Sequence, residues 1–261
     1  MSYFDDMNDI SIVDYKKVDL SNSMLIVAFP TVGLVSSIAG HYIIDSLKLD
    51  PVGTIISDKF MPATVIHKSI PSPPVRIYAG EEKCGPDDAC RKLAIIISEF
   101  MPSTDIIKPL VDKILDWSNK KGVDIVLSME GMHALGDIKG KKTQVFGIAS
   151  TPEMKKVLKN QKIDQTREGM ITGVTGVLLY QGVLLKKDVI CLLAQTHANY
   201  PDSRAAALLI EKLDKMLPAI KIDPEPLLKE ASEIENKIRN AIEQAKPTAP
   251  SISTAPYSMY G

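Results

Sequence analysis

Met24-Leu25-Ile26-Val27-Ala28-Phe29-Pro30-Thr31-Val32-Gly33 carries the pattern that decides the architecture: six apolar residues in a row, a proline, then a glycine. A short, continuous apolar run predicts a strand covered on both faces, and Pro30, with no N–H to offer a neighbouring strand, predicts its end. From Gly33 to Leu47 the apolar residues Leu34, Val35, Ile38, Ala39, Tyr42, Ile43 and Leu47 recur at spacings of three and four, which predicts an amphipathic helix. Further Val- and Ile-rich runs predict short strands at Val52–Ile56, Val75–Ala79, Leu93–Ser98, Ile125–Met129, Val145–Ala149 and Val189–Ala194. Between them, helices are expected over Asp105–Lys120, Pro152–Lys159, about Val174–Leu185 and Asp202–Leu217. Strands that alternate with helices and are apolar on both faces imply a three-layer α/β/α domain around a mixed, mostly parallel sheet, spanning residues 1–220.

A second region is expected at 221–246. Leu227, Ala231, Ile234, Ile238, Ala241 and Ala245 repeat at 4, 3, 4, 3, 4, with Lys229, Glu230, Glu233, Glu235, Lys237, Arg239 and Glu243 between them. This predicts a C-terminal helix with a narrow apolar seam, which either packs back on its own domain or meets a second subunit. Residues 247–261 contain no Asp, Glu, Lys, Arg or His and are rich in Pro, Ser and Thr. They are expected to form a flexible tail, whose extended reach would be roughly 50 Å.

The composition narrows the function. The 261 residues are 45% hydrophobic and 24% charged, the proportions of a folded chain, and the formal net charge is -1. No global field draws such a protein to nucleic acid, and its Lys and Arg are dispersed rather than gathered into a stripe. The acidic start, Met1 to Asp9, lacks the basic and apolar regions of a secretory signal, so a cytoplasmic protein is expected. The greasiest region, Met170–Thr196, is broken by Gln181 and by Lys186-Lys187-Asp188, so no membrane span is expected. Cys84, Cys90 and Cys191 form no CxxC pair and read as free thiols.

No catalytic or metal site declares itself. His41, His67, His133 and His197 are scattered, so no metal is expected, and neither GxxxxGK[ST], GxGxxG nor GxSxG occurs. Two glycine-bearing turns remain of interest, Pro30-Thr31-Val32-Gly33 and Gly173-Val174-Thr175-Gly176, because a strand running into a helix N-terminus accepts anions. Glu130-Gly131-Met132-His133 is expected in the loop just after the strand at 125–129, where open α/β sheets place functional groups. Pro30, Gly33, Glu130, Gly173 and Gly176 therefore mark the candidate ligand pocket, with Glu130 and His133 as the candidate acid/base pair.

Three blocks together resemble the archaeal members of the proteasome assembly chaperone family: Phe29-Pro30-Thr31-Val32-Gly33-Leu34-Val35 with Ser37-Ile38-Ala39-Gly40, Gly173-Val174-Thr175-Gly176-Val177-Leu178-Leu179, and Asn199-Tyr200-Pro201-Asp202 before Ala205-Ala206-Ala207. The last three residues, Met259-Tyr260-Gly261, resemble the HbYX motif, a hydrophobic residue, a tyrosine and any C-terminal residue. The resemblance implies a nucleoside phosphorylase-like domain, a homo-oligomer without enzyme activity or cofactor, and the α-subunits of the proteasome core particle as partner. It also implies docking of the tail between neighbouring α-subunits, where a lysine meets the terminal carboxylate. The absence of an ATPase motif makes any such action independent of ATP hydrolysis. Against this stands a nucleotide- or nucleoside-binding enzyme using the strand ends, since a fold alone does not fix a function.

Overall fold

The computed structural model describes residues 10–67, 69–80, 83–84, 90–133, 143–196, 201–217 and 222–229. The first half of the chain forms β1 (Ser11–Asp14), β2 (Ser23–Ala28), α1 (Val35–Leu47), β3 (Asp50–Ile56), β4 (Val65–His67), β5 (Ile70–Ser72), β6 (Val75–Ala79), β7 (Lys83–Cys84), β8 (Cys90–Ser98) and α2 (Thr104–Lys120). The second half forms β9 (Val123–His133), β10 (Val145–Ala149), α3 (Pro152–Asn160), β11 (Asp164–Gln165), α4 (Gly173–Leu185), β12 (Asp188–Thr196) and α5 (Ser203–Met216).

The apolar run that opens the chain's core is β2, and all six of its residues are buried. It lies in the parallel centre of a mixed sheet ordered β1-β3-β6-β8-β2-β9-β12-β10-β11, in which β8, β2, β9 and β12 run parallel. The flanking pairs β1 with β3, β3 with β6, β6 with β8 and β10 with β12 are antiparallel. Side chains alternate across β2 and seed two cores. Met24, Ile26 and Ala28 join Val35, Ala39 and Ile43 of α1 and Ala206, Leu209 and Leu213 of α5 on one face. Leu25 and Val27 join Leu110, Val111 and Ile114 of α2 and Val174 and Leu178 of α4 on the other. The three-layer α/β/α architecture is thus the one expected from the sequence.

Three details differ from the sequence reading. First, Glu130 to His133 are not a loop: β9 continues through them, because β12 also runs on, and Leu193, Ala194, Gln195 and Thr196 pair with Glu130, Gly131, Met132 and His133. Second, α1 begins at Val35 rather than Gly33. Val32–Leu34 form a separate 3₁₀ turn in which Gly33 (φ 66°) and Leu34 (φ 50°) both adopt left-handed backbone. Third, β1, the exposed hairpin of β4 and β5, and the two-residue β7 and β11 have no counterpart in the sequence reading. In the β7–β8 ladder, Cys84 stands opposite Cys90 in register.

The segment 222–229 folds back on the domain. Ile222 and Leu227 are buried in the α1/α5 core, the Tyr42 hydroxyl donates to the Asp223 carbonyl at 2.7 Å, and the Ile222 amide donates to Asp214 Oδ1 at 2.9 Å. Leu227, the first residue of the predicted seam, therefore packs on its own chain. The rest of that helix and the tail at 247–261 lie outside the described residues. Among the described residues, no helix is long and apolar enough to cross a membrane.

Candidate functional site

Parallel strands β2, β9 and β12 all end at one edge of the sheet, and the singled-out residues collect there on two sides. On the α1/α5 side the turn after β2 is tied down by its neighbours. Pro30 lies two residues past the end of β2, the Thr31 hydroxyl accepts from the Gly131 amide at 3.2 Å, and the Leu34 amide closes the turn on the Thr31 carbonyl at 2.9 Å. The Gly33 carbonyl accepts from the Asp202 amide at 2.8 Å. Asp202 also caps α5, taking the Ala205 amide at 2.9 Å on Oδ1 and the Thr196 hydroxyl at 2.8 Å on Oδ2. A side chain at Gly33 would put its Cβ 2.4 Å from Thr196 Oγ1, so glycine is needed there for contact as well as for backbone conformation. These hydrogen bonds of Thr31, Thr196 and Asp202 hold four elements together.

On the α2/α4 side, Glu130 points under the start of α4, where the Thr175 hydroxyl donates to Glu130 Oε1. Burial pushes the Glu130 carboxyl up to about 7, with the Thr175 hydrogen bond acting in the opposite direction. Nearby Cys191 is fully buried, and burial followed by the Glu130 charge pushes its thiol well above the usual range, so it is no nucleophile. Gly173 opens α4 with left-handed backbone (φ 71°), and the Met101 thioether lies against it. Gly176 sits so close to the Ile171 carbonyl that a Cβ would come within 2.3 Å of that oxygen.

The structure brings Glu130 together with the Gly173–Gly176 turn, while Pro30 and Gly33 belong to the opposite side. Glu130 and His133 are three residues apart on one strand, so they project from opposite faces of the sheet and form no acid/base pair. Among the described residues, no group of three or more His, Cys, Asp or Glu is placed to hold a metal ion. The sequence reading also missed a polar cluster beside α1. Arg76 is buried and pairs with Glu99, and His41 Nε2 lies 3.2 Å from Glu99 Oε1. The His41 hydrogen bond, reinforced by the guanidinium, holds the Glu99 carboxyl below its ordinary value. An isolated Arg at the second position of a short strand gives no signal of a partner 23 residues away.

The Glu130 environment makes a prediction about pH. Its folded value of about 7 exceeds the ordinary 4.5, so between these values the folded chain keeps a proton that the unfolded chain releases. The resulting stabilisation is fully present below about 4.5 and is lost as pH rises toward 7, a change on the order of 2–3 kcal/mol. Glu130→Gln removes this dependence. At pH 8 the variant is expected to melt about 5–10 °C above wild type, with the difference vanishing near pH 4.5. Equal melting temperatures at pH 8 would contradict the buried-carboxyl account.

A family model described as the PAC2 family matches residues 25–242. Among curated relatives, the uncharacterized protein MJ0106 of Methanocaldococcus jannaschii is 35% identical over 238 residues, covering 91% of this chain and 93% of the relative. Among solved structures, Pyrococcus furiosus PbaA, an archaeal homolog of proteasome-assembly chaperone, superposes with a TM-score of 0.79 at 30% identity, covering 90% of this chain and 92% of that one. Pyrococcus furiosus PbaB, an archaeal proteasome activator, superposes with a TM-score of 0.78 at 25% identity, covering 90% of this chain and 100% of that one.

Proposed function

The chain belongs to the PAC2 family, and from that premise we propose that it is a proteasome assembly chaperone or ATP-independent activator that binds the α-ring of the core particle through Met259-Tyr260-Gly261. The observation that carries the general role is the likeness to PbaA and PbaB, which extends over nine-tenths of this chain rather than over a shared core alone. The strand-end groups support a role without chemistry, because the Thr31 hydroxyl takes the Gly131 amide, Thr196 bonds to Asp202 and Cys191 is held buried as a thiol.

The tail supplies what the body lacks. A charge-free, proline-bearing tether ending in Met259, Tyr260 and a free carboxylate suits capture in a pocket between subunits. Met259 fills an apolar groove, Tyr260 is the rigid anchor with a hydrogen-bonding hydroxyl, and the Gly261 carboxylate meets a basic side chain. One such contact is weak after the tether is ordered, and several tails on one assembly strengthen it by making later contacts intramolecular. The test is a pull-down of α-rings and of mature core particles with the intact chain and with a chain lacking Met259–Gly261. Capture by the intact chain alone is expected. Equal capture by both would sink the docking reading while leaving the family role standing.

A further inference from the structure

Cys84 and Cys90 stand opposite each other in the antiparallel ladder of β7 with β8, at its last pair before the connection 85–89. Directly opposite residues of such a ladder lie on one face of the sheet, with Cα atoms about 5.5 Å apart where they exchange hydrogen bonds and about 4.5 Å apart where they do not. Both spacings fall inside the roughly 4.4–6.8 Å that a disulfide spans, so the placement suffices for either kind of pair. Register supplies it: a slip of one residue would put the two cysteines on opposite faces. Little else holds this end of the ladder. β6 and β7 both pair with β8, Ala79 opposite Ala94 and Lys83 opposite Arg91. Between these pairs lie positions 80–82 on one side but only 92 and 93 on the other, a bulge of one extra residue. The Gly80 amide still reaches the Leu93 carbonyl at 3.2 Å, and beyond it β7 is two residues long. A ladder that short, past a bulge, gains little from its neighbours. The connection Gly85-Pro86-Asp87-Asp88-Ala89 is made of turn-forming residues and brings no large apolar side chain to anchor it.

We propose that Cys84 and Cys90 are a thiol–disulfide site, forming a reversible bond within one chain that locks the β7 end of the hairpin onto β8 in register. The oxidant is a low-molecular-weight disulfide. One cysteine, as its thiolate, attacks a sulfur of that disulfide; a mixed disulfide forms, and one small thiolate leaves with the electron pair of the broken S–S bond and takes up a proton. The second cysteine then attacks the sulfur of the first, and the other small thiol leaves in the same way. Two protein thiols lose two electrons together, one small disulfide becomes two small thiols, and an excess of small thiol runs both steps backwards. Reversibility follows from the ladder spacing. Opposite Cβ atoms stand about 4.5–5.5 Å apart in a ladder, against about 3.5–4.5 Å in a disulfide, so closing the bond draws the strands together and leaves it more easily reduced. Cys191 takes no part, because it is fully buried within β12. The site depends neither on the tail nor on the partner proposed for it.

Equilibrating the full-length chain in mixtures of reduced and oxidised glutathione, quenching in acid and counting thiols by mass after alkylation tests this. Of the three cysteines, all are expected as thiols at the reducing end and Cys191 alone at the oxidising end, with a peptide cross-link joining Cys84 to Cys90. Cys84→Ser and Cys90→Ser should each stop at the glutathione adduct. The role of register is read separately: the equilibrium constant for closing the bond is expected to be at least tenfold higher in the folded chain than in the same chain unfolded in urea. Three thiols at the oxidising end, a link through Cys191, or a bond between two chains overturns the proposal. So does an equal constant with and without urea, because the segment 84–90 would then close without the ladder. The wild-type measurements decide the matter even if a serine variant does not fold.

Discussion

Tyr260→Ala is expected to weaken capture of the proteasome α-ring about thirtyfold or more in a single-tail competition assay, with no change in the melting temperature of the protein. The size follows from the proposed docking mode. A tyrosine anchor at the centre of a small contact is worth about 2 kcal/mol or more when truncated, which converts to roughly that factor. The alanine variant keeps the tether, Met259 and the carboxylate of Gly261, so it isolates the ring and its hydroxyl. Appending one residue after Gly261 probes the other half, since it leaves Tyr260 in place and displaces the terminal charge from its basic partner. In an assembly of several tails the deficit compounds, because avidity multiplies the per-tail affinity. Competition with a peptide ending in Ser258-Met259-Tyr260-Gly261 measures the single tail directly. A variant as strong as wild type in that assay would assign binding to the folded body.

How much of this was legible in the sequence depends on how each element is buried. β2, β8, β9 and β12 are read from sequence because a parallel strand covered on both faces must be a run of Val, Ile and Leu. The helices α2 and α5 announce themselves by the contrast between apolar and charged faces. β1, β4, β5, β7 and β11 are two to four residues long and lie at an edge, with too few residues for a period of two to emerge. α4 shows the reverse problem: its extent is clear, yet with no polar face the sequence cannot say which side meets the sheet. At the site, the meeting of Glu130 with the Gly173–Gly176 turn was foreseeable because strand ends and helix starts share one edge of an α/β sheet. The bond of Gly33 to Asp202 joins residues 169 positions apart, and no local pattern encodes it. Likewise, Glu130 and His133 are neighbours only in a loop; a strand separates them by its pleat.

Gly131→Ala is expected to be the most damaging single-methyl substitution in the described core, lowering stability by about 3–5 kcal/mol and the melting temperature by roughly 10 °C or more. Gly131 has ordinary strand backbone, so conformational freedom is not what requires glycine there. The reason is contact: an added Cβ would lie 2.0 Å from the Val32 carbonyl oxygen, 2.9 Å from its carbon and 3.0 Å from Thr196 Cγ2. The first two are backbone atoms, which no rotamer change can move aside. Relief therefore requires the Pro30–Leu34 turn to lift off β9, and that breaks the Gly131 amide's bond to Thr31 and strains the Gly33 bond to Asp202. The damage would spread to the cap of α5, because Asp202 serves both. Gly173→Ala is the control. It meets nothing closer than Met101 at 4.0 Å, and its cost is only that of left-handed backbone at φ 71°, about 1 kcal/mol. If the two variants melt together, the turn is not pressed against β9 and the close approach of those two segments is wrong. If Gly131→Ala alone collapses, this glycine is the residue that lets the turn after β2 seal the sheet edge, leaving recognition to be carried elsewhere on the chain.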